Sequence, residues 1–380
     1  MTSLDGSVIH DSHAEVLALR AFNRFLLEEC ARLAADAEHD SSKHSDSILQ
    51  WREKSTQASD GTDISYINCS ADNLHDPDQT GQEQVCAKWH SQPFSIKPNI
   101  KIHMYCSEAP CGDASMELTM AAQDDATPWT PNEAVHDGQI ANNDPENEKL
   151  YGRSYFDALG VVRRKPSRPD APPTLSKSCS DKLALKQCTS LLSSVTSVLI
   201  HPGNAYIESL VLPNSQYVPK ACQRAFGSHG RMAALREDQQ ISESGYTFRP
   251  FSVRPTSREF AFSRRQRCGS EVASLVPSNI STIAYGVQQE TLINGVLQGR
   301  KQNDPKGASA VSRRKIWNMA LDVANLLVSS EVDSRTLSRR TYADVKSSGV
   351  LSARVITKKR ARDGPLRGWT RNLGDDGWSL

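Results

Sequence analysis

The sequence predicts a mixed α/β fold, because helix-like and strand-like segments alternate along the chain. One early segment carries apolar residues at helical spacing, namely Val16, Leu19, Phe22 and Leu26. A later segment alternates apolar and polar residues, as a strand with one buried face does, with Ile100, Ile102, Met104 and Cys106 inward. Two long polar stretches, residues 34–92 and 123–149, interrupt this pattern. We expect a single domain over residues 1–380 in which these stretches are flexible insertions.

The elements follow in order along the chain. The first helix begins after Ser12 and ends near Leu33, and the strand at residues 100–106 leads to a short helix at residues 112–122. Ser180 and Asp181 begin another helix, whose inward residues are Ala184, Cys188, Leu191 and Leu192. Residues 195–201 and 206–212 are predicted to be two strands joined by a Pro-Gly-Asn turn. Two helices close the chain, one over residues 339–347 and one before it with an apolar face of Ile316, Ala320, Val323 and Leu327.

Composition limits the classes of function. Lys and Arg number 45 against 44 Asp and Glu, so the formal net charge of +1 gives no overall nucleic-acid signal. Basic clusters are local, at residues 163–165, 264–265, 313–315 and 358–360. The first ten residues do not form a secretory signal, and no apolar run reaches membrane-spanning length. Nine scattered cysteines do not form a disulfide framework, so we expect a protein of the nucleus or cytoplasm that is not secreted and has no membrane partner.

Three short motifs carry the chemistry. His13 stands two residues before Glu15, and Cys111 follows a proline, which together open the zinc nucleobase-deaminase signature. The usual second cysteine, three residues after the first, is replaced by Ala114. Cys179 stands at a predicted helix start, where backbone amides favour a thiolate, as do His13 and Cys111. Each motif alone is commonplace, but together and in this order they favour a deaminase site.

The expected chemistry follows from these residue types. His13, Cys111 and Cys179 would hold zinc and leave a fourth tetrahedral position for water, whose pKa zinc lowers towards neutrality. Glu15 would take the proton of that water and pass it to the purine ring and to the leaving ammonia. A cytidine or free-nucleoside deaminase is the alternative among enzymes, but Ala114 and the length of the chain argue against it.

At these motifs the chain resembles the adenosine deaminases that act on RNA, and within them it is most similar to the tRNA-specific branch. The matching stretches are residues 11–18, 107–115 and 178–182, and further similarity covers residues 201–207, 294–299, 312–315 and 368–369. Asp113-Ala114-Ser115 and Arg164-Lys165-Pro166 favour the tRNA branch over the editors of double-stranded RNA. The resemblance implies a cytidine-deaminase-like mixed sheet with helices on both faces. It also implies hydrolytic conversion of adenosine to inosine in tRNA, just 3′ of the anticodon of tRNA for alanine, with no DNA partner.

The resemblance further implies a buried inositol hexakisphosphate. The matching positions are Arg20, Lys182, Lys315, Tyr342, Lys346 and Trp369. Leu185 and Lys186 stand where an Arg-Trp pair is typical of the editing enzymes, so a different ligand set stays open.

Family members also carry a stretch before the His-Ala-Glu motif, which here starts at residue 13. The alternatives to an active deaminase are therefore a truncated gene model of such an enzyme or a catalytically impaired, RNA-binding relative. The oligomeric state stays undetermined.

Overall fold

A computed structural model describes residues 5–36, 46–52, 92–125, 127, 152, 155–165, 174–267, 278–327, 334–370 and 376–380. Within these residues the helices are α1 (Ala14–Asp36), α2 (Met116–Ala121), α3 (Cys179–Thr189), α4 (Thr196–Leu199), α5 (Pro219–Phe226), α6 (Gln239–Glu243), α7 (Arg264–Arg267), α8 (Arg313–Leu326), α9 (Ser334–Leu337), α10 (Tyr342–Lys346) and α11 (Ser352–Asp363). The strands are β1 (Leu49–Trp51), β2 (Phe94–Ile96), β3 (Ile102–Tyr105), β4 (Ile200–His201), β5 (Ile207–Pro213), β6 (Ser252–Thr256), β7 (Ile280–Tyr285), β8 (Gln288–Ile293) and β9 (Val296–Leu297). The predicted mixed α/β class is confirmed.

The described strands pair into three sheets of three strands each. In the first sheet β2 lies antiparallel to β1 and parallel to β4, and in the third β7, β8 and β9 form an antiparallel meander. The second sheet, in the order β3-β5-β6, is parallel throughout. The carboxyl ends of its strands, at Tyr105, Pro213 and Thr256, therefore lie at one edge, where ligands commonly bind in parallel sheets. The chain runs from this edge through Cys106 to the Pro-Cys-Gly motif.

The long helix α1 lies at the centre of the largest apolar cluster. Its Leu26 and Leu27 are fully buried, and they share the cluster with Phe94 of β2, Leu199 of α4 and Trp317 of α8. The indole nitrogen of Trp317 donates to the carbonyl of Leu337 at 2.8 Å, which satisfies the polar atom of the largest buried side chain. Burial of α1 on several sides fixes its amino-terminal end, and with it the position of His13.

Most of the predicted elements occur with shifted bounds. The first helix extends to Asp36, three residues beyond the predicted end, and the strand predicted at residues 100–106 is β3. The helix predicted from Ser180 begins at Cys179, with Ala184, Cys188, Leu191 and Leu192 buried as expected. The C-terminal helices correspond to α8 and α10. Helix α11 and the β7-β8-β9 meander were not predicted.

The prediction of one strand over residues 195–201 was wrong. Residues Thr196–Leu199 form a helical turn, and only Ile200–His201 is extended. The hydroxyl of Ser193 accepts a hydrogen bond from the backbone N–H of Thr196 at 3.1 Å and so caps this turn. Every side chain of the turn is buried, so apolar composition did not distinguish helix from strand there.

The polar stretch at 34–92 is not insertion throughout. Its described part contains the end of α1 and strand β1, and Leu49 of β1 lies in the largest apolar cluster. Residues 37–45 and 53–91 of this stretch, and nearly all of residues 123–149, lie outside the described residues. The described helices include none that is long and apolar enough to cross a membrane.

Candidate metal centre and active site

The structure brings His13, Cys111 and Cys179 together. His13 directly precedes α1, Cys111 precedes the 3₁₀ turn Asp113–Ser115, and Cys179 is the first residue of α3. His13 Nδ1 lies 3.6 Å from the sulfur of Cys111 and 3.5 Å from that of Cys179. All three potential ligand atoms lie within 4.8 Å of one another. These side chains come from positions 98 and 68 residues apart along the chain, so only the fold unites them.

The donor set fits a tetrahedral metal. Zinc bonded to one imidazole nitrogen and two thiolates holds its N and S ligands about 3.5 Å apart, from the usual bond lengths and the tetrahedral angle. The two observed N···S distances match this spacing. A set of three protein ligands also leaves a fourth position open, as catalytic rather than structural zinc requires. The cluster can therefore hold a metal ion, and it is the one such group within the part of the chain described.

Gly112 allows the two cysteine segments to approach each other. Its φ of 101° is one that side-chain-bearing residues rarely adopt, and a Cβ atom there would lie 2.2 Å from the hydroxyl oxygen of Ser178. Ser178 in turn caps α3, because its hydroxyl accepts from the backbone N–H of Asp181 at 3.1 Å. The Cys179 backbone N–H, at the start of the same helix, points at the Cys111 sulfur at 3.3 Å. The helix start is thus held directly against the first cysteine.

Ser180 joins the same two segments a second time. Its backbone N–H donates to the carbonyl of Cys111 at 3.0 Å, and its hydroxyl donates to the carbonyl of Pro110. The same hydroxyl accepts from the backbone N–H of Ala114. Ala114, which occupies the usual place of a cysteine ligand, is fully buried in this contact. The displaced cysteine at 179 therefore reaches the site through a different segment that is hydrogen-bonded to the first.

Buried ion pairs stabilise the two segments that carry Cys111 and Cys179. Asp181 accepts from Arg231 at 2.7 Å, from the Ser178 hydroxyl at 2.6 Å and from the backbone N–H of Arg163 at 2.9 Å. Asp113 accepts from Arg224 at 2.9 Å. Both carboxylates are fully buried, so their charges are stabilised by partners rather than by water. The segments that carry both cysteines are therefore held in place by buried charged partners.

The two thiols differ in acidity when no metal is bound. Hydrogen bonding from Cys179 lowers the pKa of the Cys111 thiol to about 4, and His13 adds to this effect. The same hydrogen bond raises the pKa of Cys179, as does burial. The pKa of His13 is raised by its hydrogen bond with Cys111. Cys111 is thus already a thiolate before a metal binds, while its neighbours Cys179 and His13 hold protons. Binding of a metal to all three side chains would release those protons.

Glu15 lies beside the cluster in the first turn of α1. Burial raises the pKa of its carboxyl group, and the negative charge on Cys111 adds to the rise. A raised pKa makes a carboxyl group better able to hold a proton between accepting it and giving it up, which a general acid and base must do. The side chain of Glu15 is half-buried in the structure.

A chain of charges leads away from the cluster. The Lys165 ammonium lies 3.3 Å from the Cys179 sulfur and 2.6 Å from the carboxylate of Asp11. The second oxygen of Asp11 accepts from the Lys182 ammonium. Burial raises the pKa of Asp11, but attraction to Lys182 and Lys165 outweighs burial and holds that pKa well below its usual value. The sequence had placed Lys165 in a basic run and in a family motif, and Asp11 in a family motif, so their electrostatic roles at the cluster were missed.

Lys182 opens onto a large basic cavity. Its volume is about 700 Å³. The cavity is lined by nine basic side chains: Arg20, Lys177, Lys182, Arg313, Lys346, Arg354, Lys358, Lys359 and Arg362. Two acidic side chains also line it, and both already have basic partners: Asp11 pairs with Lys165 and Lys182, and Asp376 with Lys346. The net charge of the lining is therefore strongly positive.

Several of these cations are poorly solvated. Burial and the neighbouring Arg313 lower the pKa of Arg20 to about 10. Burial and the nearby Arg362 lower the pKa of Lys177 to about 8, although its ammonium lies 5.9 Å from the centre of the Trp369 ring. Burial also holds the pKa of Lys358 well below its usual value. Like charges crowded in one buried space are destabilising unless an anion neutralises them.

The structure divides the six positions that the sequence assigned to the inositol phosphate. Arg20, Lys182, Lys346 and Trp369 line the cavity. Lys315 is exposed and Tyr342 is buried against Trp317 and Trp378, and neither lines it. Lys186, where an Arg-Trp pair is typical, instead donates to the carbonyls of Leu191 and Leu192. Of the remaining lining cations, Arg313, Lys358 and Lys359 come from basic runs that resemble ordinary solvated faces, and the sequence had not singled out Lys177, Arg354 and Arg362.

The match to known proteins agrees with this geometry. The adenosine-deaminase (editase) domain family matches the chain over residues 1–72 and 64–372. The chain belongs to this family. A relative from Schizosaccharomyces pombe, tRNA-specific adenosine deaminase 1, is 32% identical over 98% of this chain and 78% of its own length. Proteins of the same name are 29% identical in Saccharomyces cerevisiae, over 55% of this chain and 41% of that protein, and 25% identical in Drosophila melanogaster, over 90% and 73%.

Proposed function

We propose that the chain is a zinc-dependent hydrolytic adenosine deaminase that converts adenosine to inosine in tRNA, acting as one domain over residues 1–380. The observation that carries this proposal is the cluster of His13, Cys111 and Cys179 with the half-buried Glu15 beside it. Membership of the editase family and the names of the relatives support the same reaction and the same class of substrate.

His13, Cys111 and Cys179 hold the zinc ion through one imidazole nitrogen and two thiolates. Zinc bound in this way acts as a Lewis acid and lowers the pKa of water towards neutrality. Cys111 provides a ready thiolate, because its pKa is about 4 before any metal binds. Lys165 compensates the second negative charge that develops when Cys179 loses its proton.

Glu15 moves the protons of the reaction. Its carboxylate accepts a proton from the attacking water and delivers it to the purine ring. It then takes the proton of the new hydroxyl group on C6 and passes it to the amino group, which leaves as ammonia while C6 becomes a carbonyl, so adenosine and water give inosine and ammonia. Partial burial suits Glu15 for both directions, because the raised pKa favours the protonated form more than in water.

The substrate adenosine lies in the anticodon loop of tRNA for alanine, just 3′ of the anticodon. The names of the relatives support tRNA as the substrate class. An adenosine must leave the base stack to reach a buried metal, and an anticodon loop opposes this step less than a duplex does.

Scattered cysteines without pairing in the described residues support a reducing compartment, the nucleus or cytoplasm.

The basic cavity holds inositol hexakisphosphate as a structural cofactor. Arg20, Lys182, Lys346 and Trp369 contribute to its binding, together with Lys177, Arg313, Arg354, Lys358, Lys359 and Arg362. A compact polyanion neutralises cations that burial otherwise destabilises. Lys182 and Asp11 connect this anion to Lys165 and so to Cys179. The polyanion therefore supports the metal site and does not react.

The test is to incubate the purified protein separately with tRNA for alanine, free adenosine and free cytidine. Digestion to nucleosides and mass spectrometry then measure inosine and uridine. We expect inosine from the tRNA only. Uridine from cytidine would favour the alternative enzyme class, and tRNA binding without turnover at full zinc content would indicate a non-catalytic relative.

A further inference from the structure

Two phenylalanines are exposed on the segment after β6. Phe260 is 48% exposed and Phe262 is 67% exposed, although aromatic side chains normally bury most of their area. Their ring centres lie 5.7 Å apart with planes inclined at 59°. The backbone N–H of Ser263 donates to the carbonyl of Phe260 at 2.8 Å, so a closed turn presents both rings. Both phenylalanine rings are therefore exposed on an ordered turn.

An exposed tyrosine and two exposed arginines adjoin this pair. Tyr105, at the end of β3, is 45% exposed, and its hydroxyl donates to the carbonyl of Arg258 at 3.2 Å. In the sheet register, Val211 of β5 lies opposite both Tyr105 and Arg254, so the latter two share one face. We call Tyr105, Arg254, Arg258, Phe260 and Phe262 the aromatic–arginine patch.

The patch is attached to the loop that carries Cys111. Arg265, which follows the exposed turn, donates to the carbonyl of Ser107 at 2.7 Å and pairs with Glu108 at 2.6 Å. Arg265 also pairs with Glu259 at 3.1 Å. The patch thus lies at the carboxyl edge of the parallel sheet, from which the Pro-Cys-Gly loop also leaves. Arg265 carries one positive charge against these two carboxylates, so together with Arg254 and Arg258 the surface keeps a net positive charge.

Given the tRNA substrate proposed above, we propose that the aromatic–arginine patch binds unpaired nucleotides next to the adenosine that enters the active site. Phe260, Phe262 and Tyr105 stack on bases, and Arg254 and Arg258 contact the phosphates. Exposed aromatic rings interleaved with arginines are the feature by which proteins bind single-stranded RNA without a duplex-shaped surface. A loop opened by the exit of one base provides such nucleotides at the rim of the site.

The test measures the dissociation constant for a fluorescent anticodon stem–loop RNA of tRNA for alanine, with the full chain loaded with zinc. Phe260→Ala with Phe262→Ala should weaken binding about tenfold or more, because each lost base stack costs that much. Val287→Ala is the matched control, since Val287 is 98% exposed at the β7-β8 turn and lies outside the patch. It should bind as the unchanged protein does.

A second measurement separates the arginines from the rings. Arg254→Gln and Arg258→Gln should each reduce the salt dependence of binding, by about 0.7 in the slope of log K against log salt. Phe262→Trp keeps an aromatic ring, and RNA should quench the fluorescence of the new indole. A double alanine variant with native zinc content that binds the stem–loop as tightly as the control overturns the assignment. So does a Phe262→Trp protein whose fluorescence is unchanged at saturating RNA.

These results are separable from those on the reaction. Failure of the unchanged protein to form inosine, with patch-dependent RNA binding intact, contradicts the proposed function and leaves the patch assigned. Normal inosine formation with patch-independent binding contradicts the patch alone. A duplex of equal length that competes as well as the stem–loop would also overturn the patch, because a duplex offers no unpaired bases.

Discussion

The ammonium of Lys165 lies 3.3 Å from the sulfur of Cys179, so a buried positive charge stands behind the metal cluster. Burial lowers the pKa of Lys165, but electrostatic attraction to the Cys179 sulfur and to Asp11 outweighs burial and raises that pKa above its usual value. Lys165 therefore stays protonated at neutral pH and favours the thiolate form of its neighbour.

Lys165→Met should weaken zinc binding about tenfold to a hundredfold, as loss of a charged partner of a ligand commonly does. Competition with a fluorescent zinc chelator measures this affinity. Lys315→Met is the control, because Lys315 is exposed and outside the cluster. Equal zinc affinity in the two variants would contradict a role for Lys165 in stabilising the thiolate.

Cys179→Ala should remove bound zinc, because His13 and Cys111 alone leave only two protein ligands. The unchanged protein should contain about one zinc per chain, the stoichiometry of a single three-ligand site. Atomic emission spectroscopy of purified protein measures both. Cys222→Ala, which changes a buried cysteine in another cluster, should keep its zinc. A Cys179→Ala protein with full zinc would remove Cys179 from the site.

Glu15→Gln should retain zinc and lower the rate of inosine formation by a factor of about 10² to 10⁴ or more, since the amide cannot carry the proton. Single-turnover assays with tRNA measure the chemical step directly. Glu28→Gln, on the same helix and paired with Arg24, is the control. A rate in Glu15→Gln close to that of the control would assign the proton transfer to another group.

Lys182→Ala should lower zinc content and solubility together, because it breaks the connection from the polyanion through Asp11 and Lys165 to Cys179. Denaturation of the unchanged chain should release an inositol carrying six phosphates, which mass spectrometry detects. A well-folded, active preparation without this compound would contradict the polyanion but not the deaminase.

Removal of the polyanion should make the free energy of unfolding depend on pH in the alkaline range. The pKa of Lys177 is about 8 in the folded chain and near its usual, higher value in the unfolded one. Between these values the unfolded state binds more protons, so the free energy of unfolding should rise with pH from about 8 to 10 in the anion-free protein. Urea titrations at several pH values measure this slope. A bound polyanion should flatten it, because it keeps Lys177 protonated in the folded state.

The sequence located the three side chains of the metal cluster because their signals are local. Each was predicted at the start of a helix, and helix starts are legible from short local patterns such as Ser180 with Asp181. Their order and types also matched a known signature. Proximity among positions 13, 111 and 179 then followed from the shared chemistry, and the structure shows it.

The basic cavity was only partly predictable. Lys177, Arg313 and Lys358 lie far apart in sequence, and each resembles a residue on an ordinary solvated face. Nothing local in a basic run reveals that several runs converge on one buried space. The strand error at 195–201 has a similar cause, since an apolar run buried on all sides has no period that separates strand from helix.

The wide separation of the cluster in sequence has a consequence for synthesis. A nascent chain that has passed position 111 carries one imidazole and one thiol of the site but lacks the third group, which appears only at position 179. Metal capture therefore waits until nearly half of the 380 residues have left the ribosome. Loading with metal is then a late event in maturation, and it selects those molecules in which distant segments have already come together.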